Sequence, residues 1–203
     1  MPDLTLDVAR RHFAHLPEGL IAHLERVSTL ARHLALRWDA EPERCALAGF
    51  LHDIARADAP RELLRRAKEH GFPLHPVEEM VPVLLHGPFA AHQVREVFWL
   101  KDEDVLNAIC WHSTGRYSMG LIEKIVLLAD KLDPEKDGYY PGLEDLPQLA
   151  EQDLDRAVLR YLEWQTRRLL EEGGQIHPAA IEARNFLLQR VSEKQGLSGA
   201  ERS

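Results

Sequence analysis

The sequence predicts a single all-helical domain. Apolar residues recur at the three- and four-residue spacing of a helix face along most of the chain, and no stretch shows the alternation or turn dipeptides of a β-hairpin. A length of 203 residues suits one domain, and 45% hydrophobic with 29% charged residues is typical of a folded soluble protein. We expect an N-terminal extension over residues 1–17, a helical domain over 18–192 and a polar C-terminal tail over 193–203.

The first half of the chain predicts three helices. The strongest periodicity covers residues 18–38, with Val27 in the middle of its apolar face. A second helix is predicted from Pro42 to about Arg56, because proline is favourable in a first helical turn. This helix is apolar over a wide arc, which predicts a buried helix at the centre of the bundle. A shorter helix is predicted over 61–70, ending at Gly71.

The second half predicts helices separated by proline- and glycine-rich connections. Residues 71–82 contain three prolines and predict a connecting loop with at most one helical turn, and residues 133–150 predict an ordered loop. A bend is expected at Gly87-Pro88. The remaining helices are predicted over residues 83–100, 102–112, 118–132, 151–171 and 178–192.

The charge and cysteine content exclude several classes of protein. The formal net charge is −8, so the chain has no general attraction for nucleic acid or anionic lipid. No run approaches the roughly 18 uncharged apolar residues of a membrane span, and the N-terminus has no secretory signal pattern. Cys45 and Cys110 each lie in an apolar helical pattern, which predicts buried reduced thiols. We therefore expect a cytoplasmic protein with neither nucleic acid nor membrane as a partner.

Histidines and aspartates on apolar helix faces are the chemically informative feature. His52 and Asp53 lie in the helix expected to be buried, where both groups are costly unless they pair or bind a cation. Alone, this dipeptide also fits a structural hydrogen bond. His23 and Asp130, however, lie on the apolar faces of two other predicted helices. Convergence on a metal ion explains all four residues, and iron, manganese and zinc all accept such ligands.

Two further histidines extend this set. His86 lies near the start of one predicted helix, and His112 ends another. Each could bind a second metal ion or donate to a phosphate oxygen, whereas the alternative is an imidazole that interacts with a helix end. Asp53 has two carboxylate oxygens and could bridge two ions, and such paired ions can activate water and neutralise phosphoryl oxygens.

Longer motifs around these residues resemble the HD-domain superfamily of metal-dependent phosphohydrolases, and within it the YqeK-type branch. The resemblance covers roughly residues 15–190. It is carried by the segments Leu51-His52-Asp53-Ile54-Ala55-Arg56, His86-Gly87-Pro88, His112-Ser113-Thr114-Gly115-Arg116, Leu128-Ala129-Asp130-Lys131-Leu132-Asp133-Pro134, Tyr140-Pro141-Gly142 and Ile176-His177-Pro178 with Ile181-Glu182-Ala183-Arg184-Asn185.

The resemblance implies a helical HD-domain bundle that cleaves diadenosine tetraphosphate symmetrically to two ADP and carries iron. It implies His23, His52, Asp53 and Asp130 as metal ligands, with His52, Asp53, His86 and His112 in catalysis. Lys136 stands where the family usually has an arginine beside the phosphates, so a point charge replaces a bidentate fork. The residues expected at the substrate are His23, His86, His112, Thr114, Gly115, Arg116, Asp130, Lys136, His177 and Arg184.

Three functional hypotheses follow. The first is hydrolysis of diadenosine tetraphosphate by attack of a metal-bound hydroxide on an inner phosphorus. The second keeps the fold and changes the substrate to another nucleotide or a cyclic dinucleotide. The third is a non-catalytic helical module that senses nucleotides or binds a partner. The expected ligand is a dinucleoside polyphosphate or a nucleoside diphosphate. The sequence is also compatible with a homodimer.

Overall fold

The computed structural model describes residues 4–136, 140–194 and 196, and these residues form a helical bundle without a β-strand. This confirms the predicted fold class. Two short 3₁₀ helices cover Pro82–Leu85 and Pro134–Lys136. The α-helices of the described residues are α1 (Leu6–His12), α2 (Glu18–Arg37), α3 (Pro42–Leu51), α4 (Pro60–Glu69), α5 (Pro76–Met80), α6 (His86–Phe98), α7 (Glu103–Trp111), α8 (Leu121–Lys131), α9 (Leu146–Gln152), α10 (Leu154–Glu171) and α11 (Pro178–Lys194).

Helix α3 is the buried centre of the bundle, as its wide apolar arc predicts. Seven consecutive residues from Cys45 to Leu51 are buried, and the helix contacts α2, α7 and α8. Gly49 sets the approach of α2, since a Cβ at this position would lie 3.1 Å from the Val27 carbonyl oxygen and 3.1 Å from the Ala31 Cβ. The missing side chain therefore lets the two helices cross closely, which brings His23 near His52.

The central helix ends earlier than predicted, at Leu51 instead of Arg56. The protonated Nδ1 of His52 donates to the carbonyl oxygen of Gly49 at 2.7 Å, the acceptor that the next turn of an α-helix would use. Tighter turns follow, in which the Ile54 amide donates to Leu51 and the Arg56 amide to Asp53. The helix thus ends where His52 and Asp53 begin.

The predicted loop over residues 133–150 is wrong in part, because it contains a 3₁₀ helix and helix α9. Pro147 is the second residue of α9, where its missing N–H costs no helical hydrogen bond. Gly138, one of the glycines on which the loop prediction rests, lies outside the described residues. The bend expected at Gly87-Pro88 is not at that dipeptide, because the change of helix type lies between the 3₁₀ helix that ends at Leu85 and α6 that begins at His86. Pro88 is accommodated within the first turn of α6, where its missing N–H costs no helical hydrogen bond.

The N-terminal segment packs on the same core as the rest of the chain. Leu6 and Ala9 of α1 are buried, and Phe13 is 1% exposed. Cys45 is buried as predicted, whereas Cys110 near the end of α7 is only partly buried; burial raises the pKa of both thiols to about 12. None of the helices in the described part combines the length and apolar composition needed to span a membrane.

Candidate metal centre

Six histidine and aspartate side chains from five segments meet at one buried point. They come from α2, the end of α3, the start of α6, the residue after α7 and the last turn of α8. Five of them are buried and His23 is partly exposed. Two overlapping triads place one ligand atom per residue within 4.8 Å of one another, and these triads are His23, His52, Asp130 and His52, Asp53, His112.

The first half of the cluster surrounds one carboxylate oxygen of Asp130. His23 Nε2 lies 3.3 Å and His52 Nε2 lies 3.5 Å from Asp130 Oδ1, and the two nitrogens are 3.4 Å apart. Three atoms that can each donate an electron pair therefore face one small volume.

Asp53 lies between this half and a second pair of histidines. Its Oδ2 is 3.7 Å from His23 Nε2 and 3.6 Å from His52 Nε2. Its Oδ1 is 2.9 Å from His86 Nε2 and 3.3 Å from His112 Nε2. Each carboxylate oxygen thus faces a different pair of imidazoles, which is the placement that a bridging ligand would need.

All four imidazoles are oriented in the same way. In each ring, Nδ1 contacts an acceptor on the outer side: Asp133 Oδ2 at 2.6 Å for His23, Gly49 O at 2.7 Å for His52, Ile109 O at 2.8 Å for His112 and Val83 O for His86. Carbonyl and carboxylate oxygens only accept, so each Nδ1 carries a proton, and in the neutral ring Nε2 then presents a lone pair to the centre.

These lone pairs require a positive charge between them. His86 Nε2 and His112 Nε2 are only 2.9 Å apart, and burial lowers the pKa of His112 to about 4, which leaves this ring neutral at pH 7. Asp53 Oδ1 is buried without a hydrogen bond. Nitrogen and oxygen ligands with inward lone pairs fit a divalent metal ion.

A cavity of about 620 Å³ opens over the cluster. Lys136 donates to both the carbonyl oxygen (3.0 Å) and the carboxylate of Asp130, and Lys131 Nζ lies 2.5 Å from the other carboxylate oxygen of Asp130. The Ser113 hydroxyl lies 3.0 Å from His112 Nε2 and 3.3 Å from His86 Nε2. Three aromatic side chains and two further cations also line the cavity, namely Tyr140, Tyr161, Trp164, Arg56 and Arg168.

The loop after His112 turns away from this cavity beyond Ser113. Thr114 donates its hydroxyl proton to the Gly115 carbonyl oxygen at 2.9 Å. Gly115 has a φ of +66°, and a Cβ there would lie 3.2 Å from the Met119 sulfur. Arg116 forms a bidentate pair with Glu123 at 2.6 and 2.8 Å. None of these three predicted substrate residues lines the cavity.

His177 and Arg184 also lie outside the cavity lining. The His177 ring lies 5.1 Å from the ring of His75, and its Nδ1 accepts from the Ala179 amide at 3.2 Å. Arg184 donates to Glu163 at 2.7 Å. Contact between these residues and a nucleotide stays a prediction.

The family model for the HD domain matches residues 20–135, which contain all six clustered side chains. The chain belongs to the HD-domain family. The symmetrical bis(5'-nucleosyl)-tetraphosphatase of Halalkalibacterium halodurans is 35% identical over 86% of this chain and 91% of the relative. The enzyme of the same name from Bacillus subtilis is 29% identical over 85% of this chain and 91% of the relative.

A solved structure shows the same HD-domain fold. The crystal structure described as an HD superfamily hydrolase involved in NAD metabolism, from Clostridium acetobutylicum, superposes with a TM-score of 0.85 and 31% sequence identity. The match covers 93% of this chain and 99% of that chain. Fold and family therefore agree over nearly the whole sequence.

Asp133 supports the centre of this HD domain from outside the six clustered side chains, and the sequence reasoning did not single it out. It accepts from His23 Nδ1 and forms a bidentate pair with Arg26 at 2.6 and 3.0 Å. Burial would raise the pKa of Asp133, but the hydrogen bonds from Arg26 and His23 lower it to about 2. The available signal is its position three residues after Asp130, one helical turn along the chain.

Replacing Asp133 with asparagine is expected to weaken metal binding about 10- to 100-fold, because an outer carboxylate fixes the orientation and basicity of a ligating imidazole. Titration of metal-free protein with Fe²⁺ under anaerobic conditions, or with Mn²⁺, measures the affinity. Arg26→Gln is the matched control, since it removes the other partner of Asp133 and keeps the carboxylate beside His23. Equal affinity in Asp133→Asn and wild type would contradict this role.

Proposed function

We propose that this HD-domain protein is a metal-dependent hydrolase that cleaves dinucleoside tetraphosphates symmetrically, with diadenosine tetraphosphate giving two ADP. The observation that carries the proposal is the buried cluster of inward lone pairs under a cavity lined by cations and aromatic rings. The names of the relatives from H. halodurans and B. subtilis support the same substrate class.

The four residues His23, His52, Asp53 and Asp130 would hold the first metal ion. His86 and His112 face the remaining oxygen of Asp53 and would bind a second ion or contact the phosphates directly. A bound divalent ion supplies Lewis-acid activation of water and neutralises charge on phosphoryl oxygens. We propose iron as this ion on the resemblance to the YqeK-type branch, and the ligand atoms also suit manganese or zinc.

The side chains around the cavity account for substrate binding. Lys136 and Arg56 present positive charge to the polyphosphate, which compensates for the acidic character of the whole chain. Lys136 is a compact charge, so it stabilises a phosphoryl oxygen without the bidentate geometry of arginine. The Ser113 hydroxyl, close to His86 and His112, can donate a hydrogen bond to the same oxygens.

The reaction adds water across the central phosphoanhydride. The water oxygen forms a bond to one inner phosphorus, and the bond from that phosphorus to the bridging oxygen breaks. The bridging oxygen leaves with the other half of the molecule, so each half is a nucleoside diphosphate. Neither oxidant nor co-reactant other than water is needed.

Two further parts of this proposal concern the setting of the enzyme. We propose a cytoplasmic location, which suits a chain whose two cysteines, Cys45 and Cys110, are unpaired thiols. A homodimer is also proposed, and size-exclusion chromatography with light scattering tests it.

Metal analysis of anaerobically purified protein, coupled to product identification, tests the function. Incubation with diadenosine tetraphosphate is expected to give ADP alone. A mixture of ATP and AMP would contradict symmetrical cleavage. Turnover of a cyclic dinucleotide to a linear dinucleotide, without turnover of diadenosine tetraphosphate, would favour the alternative function, a phosphohydrolase of the same fold that acts on another nucleotide or a cyclic dinucleotide. Tight nucleotide binding without turnover in iron, manganese and zinc would indicate a non-catalytic module.

A further inference from the structure

A second cavity of about 770 Å³ adjoins the one over the metal centre. It is formed by the turn at Pro141-Gly142 and by one face of α10. The residues of this face recur at the three- and four-residue spacing that places side chains side by side on a helix. Trp164, Arg168 and Glu172 line both cavities, so these three residues form the partition between them.

Trp164 is held firmly within this partition. Its indole Nε1–H donates to the carbonyl oxygen of Pro141 at 2.8 Å. Its ring contacts Tyr140 edge-on, with ring centres 5.3 Å apart, and Tyr161 at 6.3 Å. The guanidinium of Arg168 lies 5.6 Å from the centre of the indole ring. An ordered aromatic ring therefore stands between the two cavities.

Three guanidinium groups also face the second cavity, and they differ in how they are held. Arg160 donates to the Gly142 carbonyl oxygen at 2.5 Å, and Arg168 pairs with Glu172 at 2.8 Å. Arg167 is exposed and forms no ion pair with any residue in the described ranges. Arg167 is thus a cation available to a ligand in this cavity.

We propose that the second cavity binds the far nucleoside of the dinucleoside tetraphosphate, with its base on Trp164 and its phosphates near Arg167 and Arg168. This inference rests on the proposed function. Symmetrical cleavage requires the central phosphoanhydride at the metal centre, which leaves two identical halves to be placed on either side. One half occupies the cavity over the metal centre, and the adjoining cavity receives the other.

The chemistry of this cavity suits a nucleoside diphosphate half. Bases stack on aromatic faces and on guanidinium planes without dependence on a particular base. A volume of about 770 Å³ lies within the range of small-molecule sites. The lining has three guanidinium groups and two carboxylates, Glu171 and Glu172, so it offers a net positive charge to the far phosphates outside the metal centre.

Two substrates with the same scissile bond separate this site from the metal centre. Diadenosine tetraphosphate has two nucleosides, and adenosine 5'-tetraphosphate has one. The measured quantity is the ratio of kcat/KM for the first substrate to kcat/KM for the second. Since loss of one base–aromatic stack costs about tenfold or more in affinity, we expect wild-type protein to prefer the dinucleotide about tenfold. Trp164→Ala should bring this ratio close to one.

Matched variants distinguish binding from a merely structural effect. Trp164→Phe keeps an aromatic face and should restore most of the preference. Arg167→Gln should lower the ratio about threefold, and it carries the test if Trp164→Ala does not fold. Arg61→Gln, at an exposed position on α4, is the control and should leave the ratio unchanged.

The outcomes separate this inference from the function on which it rests. An equal loss for both substrates in Trp164→Ala, with no change of ratio in Arg167→Gln, would overturn the second nucleoside site and leave the hydrolase intact. If metal-loaded wild-type protein cleaves neither substrate, the proposed function itself fails, and the inference fails with it.

Discussion

Asp53→Ala is expected to lower kcat/KM about a thousandfold or more, because a metal ion contributes several kcal/mol of charge stabilisation to such a reaction. The side chain faces His23 and His52 with one oxygen and His86 and His112 with the other, so its loss disrupts both halves of the centre. Tight metal binding should be lost, while circular dichroism should show unchanged helical content. Kinetics and metal analysis of the same sample check both outcomes.

Asp58→Ala is the matched control for this variant. Asp58 follows five residues later on the same connection, pairs with Arg66 at 2.7 Å and lies outside the cavity lining. It should retain the metal and the activity of wild-type protein. Full turnover by metal-free Asp53→Ala would end the assignment of a metal-dependent hydrolase.

Gly87→Ala is expected to destabilise the fold by about 1–3 kcal/mol, the range for overpacking a closely packed contact. A Cβ at this position would lie 2.6 Å from the Cys110 carbonyl oxygen and 3.1 Å from that of Ile109. These are backbone atoms and cannot rotate away, so α6 and α7 must separate. The separation also shifts His86 relative to His112, because the Ile109 carbonyl accepts from His112.

Urea denaturation measures the stability of this variant, and kcat/KM for diadenosine tetraphosphate reports the displacement of the histidines. Gly19→Ala is the control for stability, since a Cβ at position 19 would meet nothing within 4 Å. If Gly87→Ala and Gly19→Ala have the same free energy of unfolding, the close contact between α6 and α7 does not constrain the centre.

The sequence alone predicts the helices and the convergence of His23, His52, Asp53 and Asp130. Apolar periodicity reports which face of a helix is buried, and a polar group on that face needs a partner. The same reasoning does not show how helices cross. Asp53 lies between two pairs of imidazoles because of how four helices are positioned relative to one another. Apolar periodicity does not describe these relative positions.

Local competition for hydrogen bonds explains other differences. Helix α3 ends where the side chain of His52 donates a hydrogen bond to the carbonyl oxygen of Gly49. The resemblance to the YqeK-type branch implies Arg116 at the substrate, yet Glu123 satisfies its guanidinium. Trp164 and Arg168 lie on an amphipathic helix of ordinary composition, so their position between two cavities becomes visible only in three dimensions.

Helix α1 has a consequence for the limits of the folded unit. The family model begins at residue 20, but Phe13 is almost fully buried against the central core. A chain shortened to begin at residue 18 would present the site of that aromatic ring to water and leave a void beside α3. The family model thus marks the part of the fold that holds the six clustered side chains, while the packing of the core also depends on residues upstream of it.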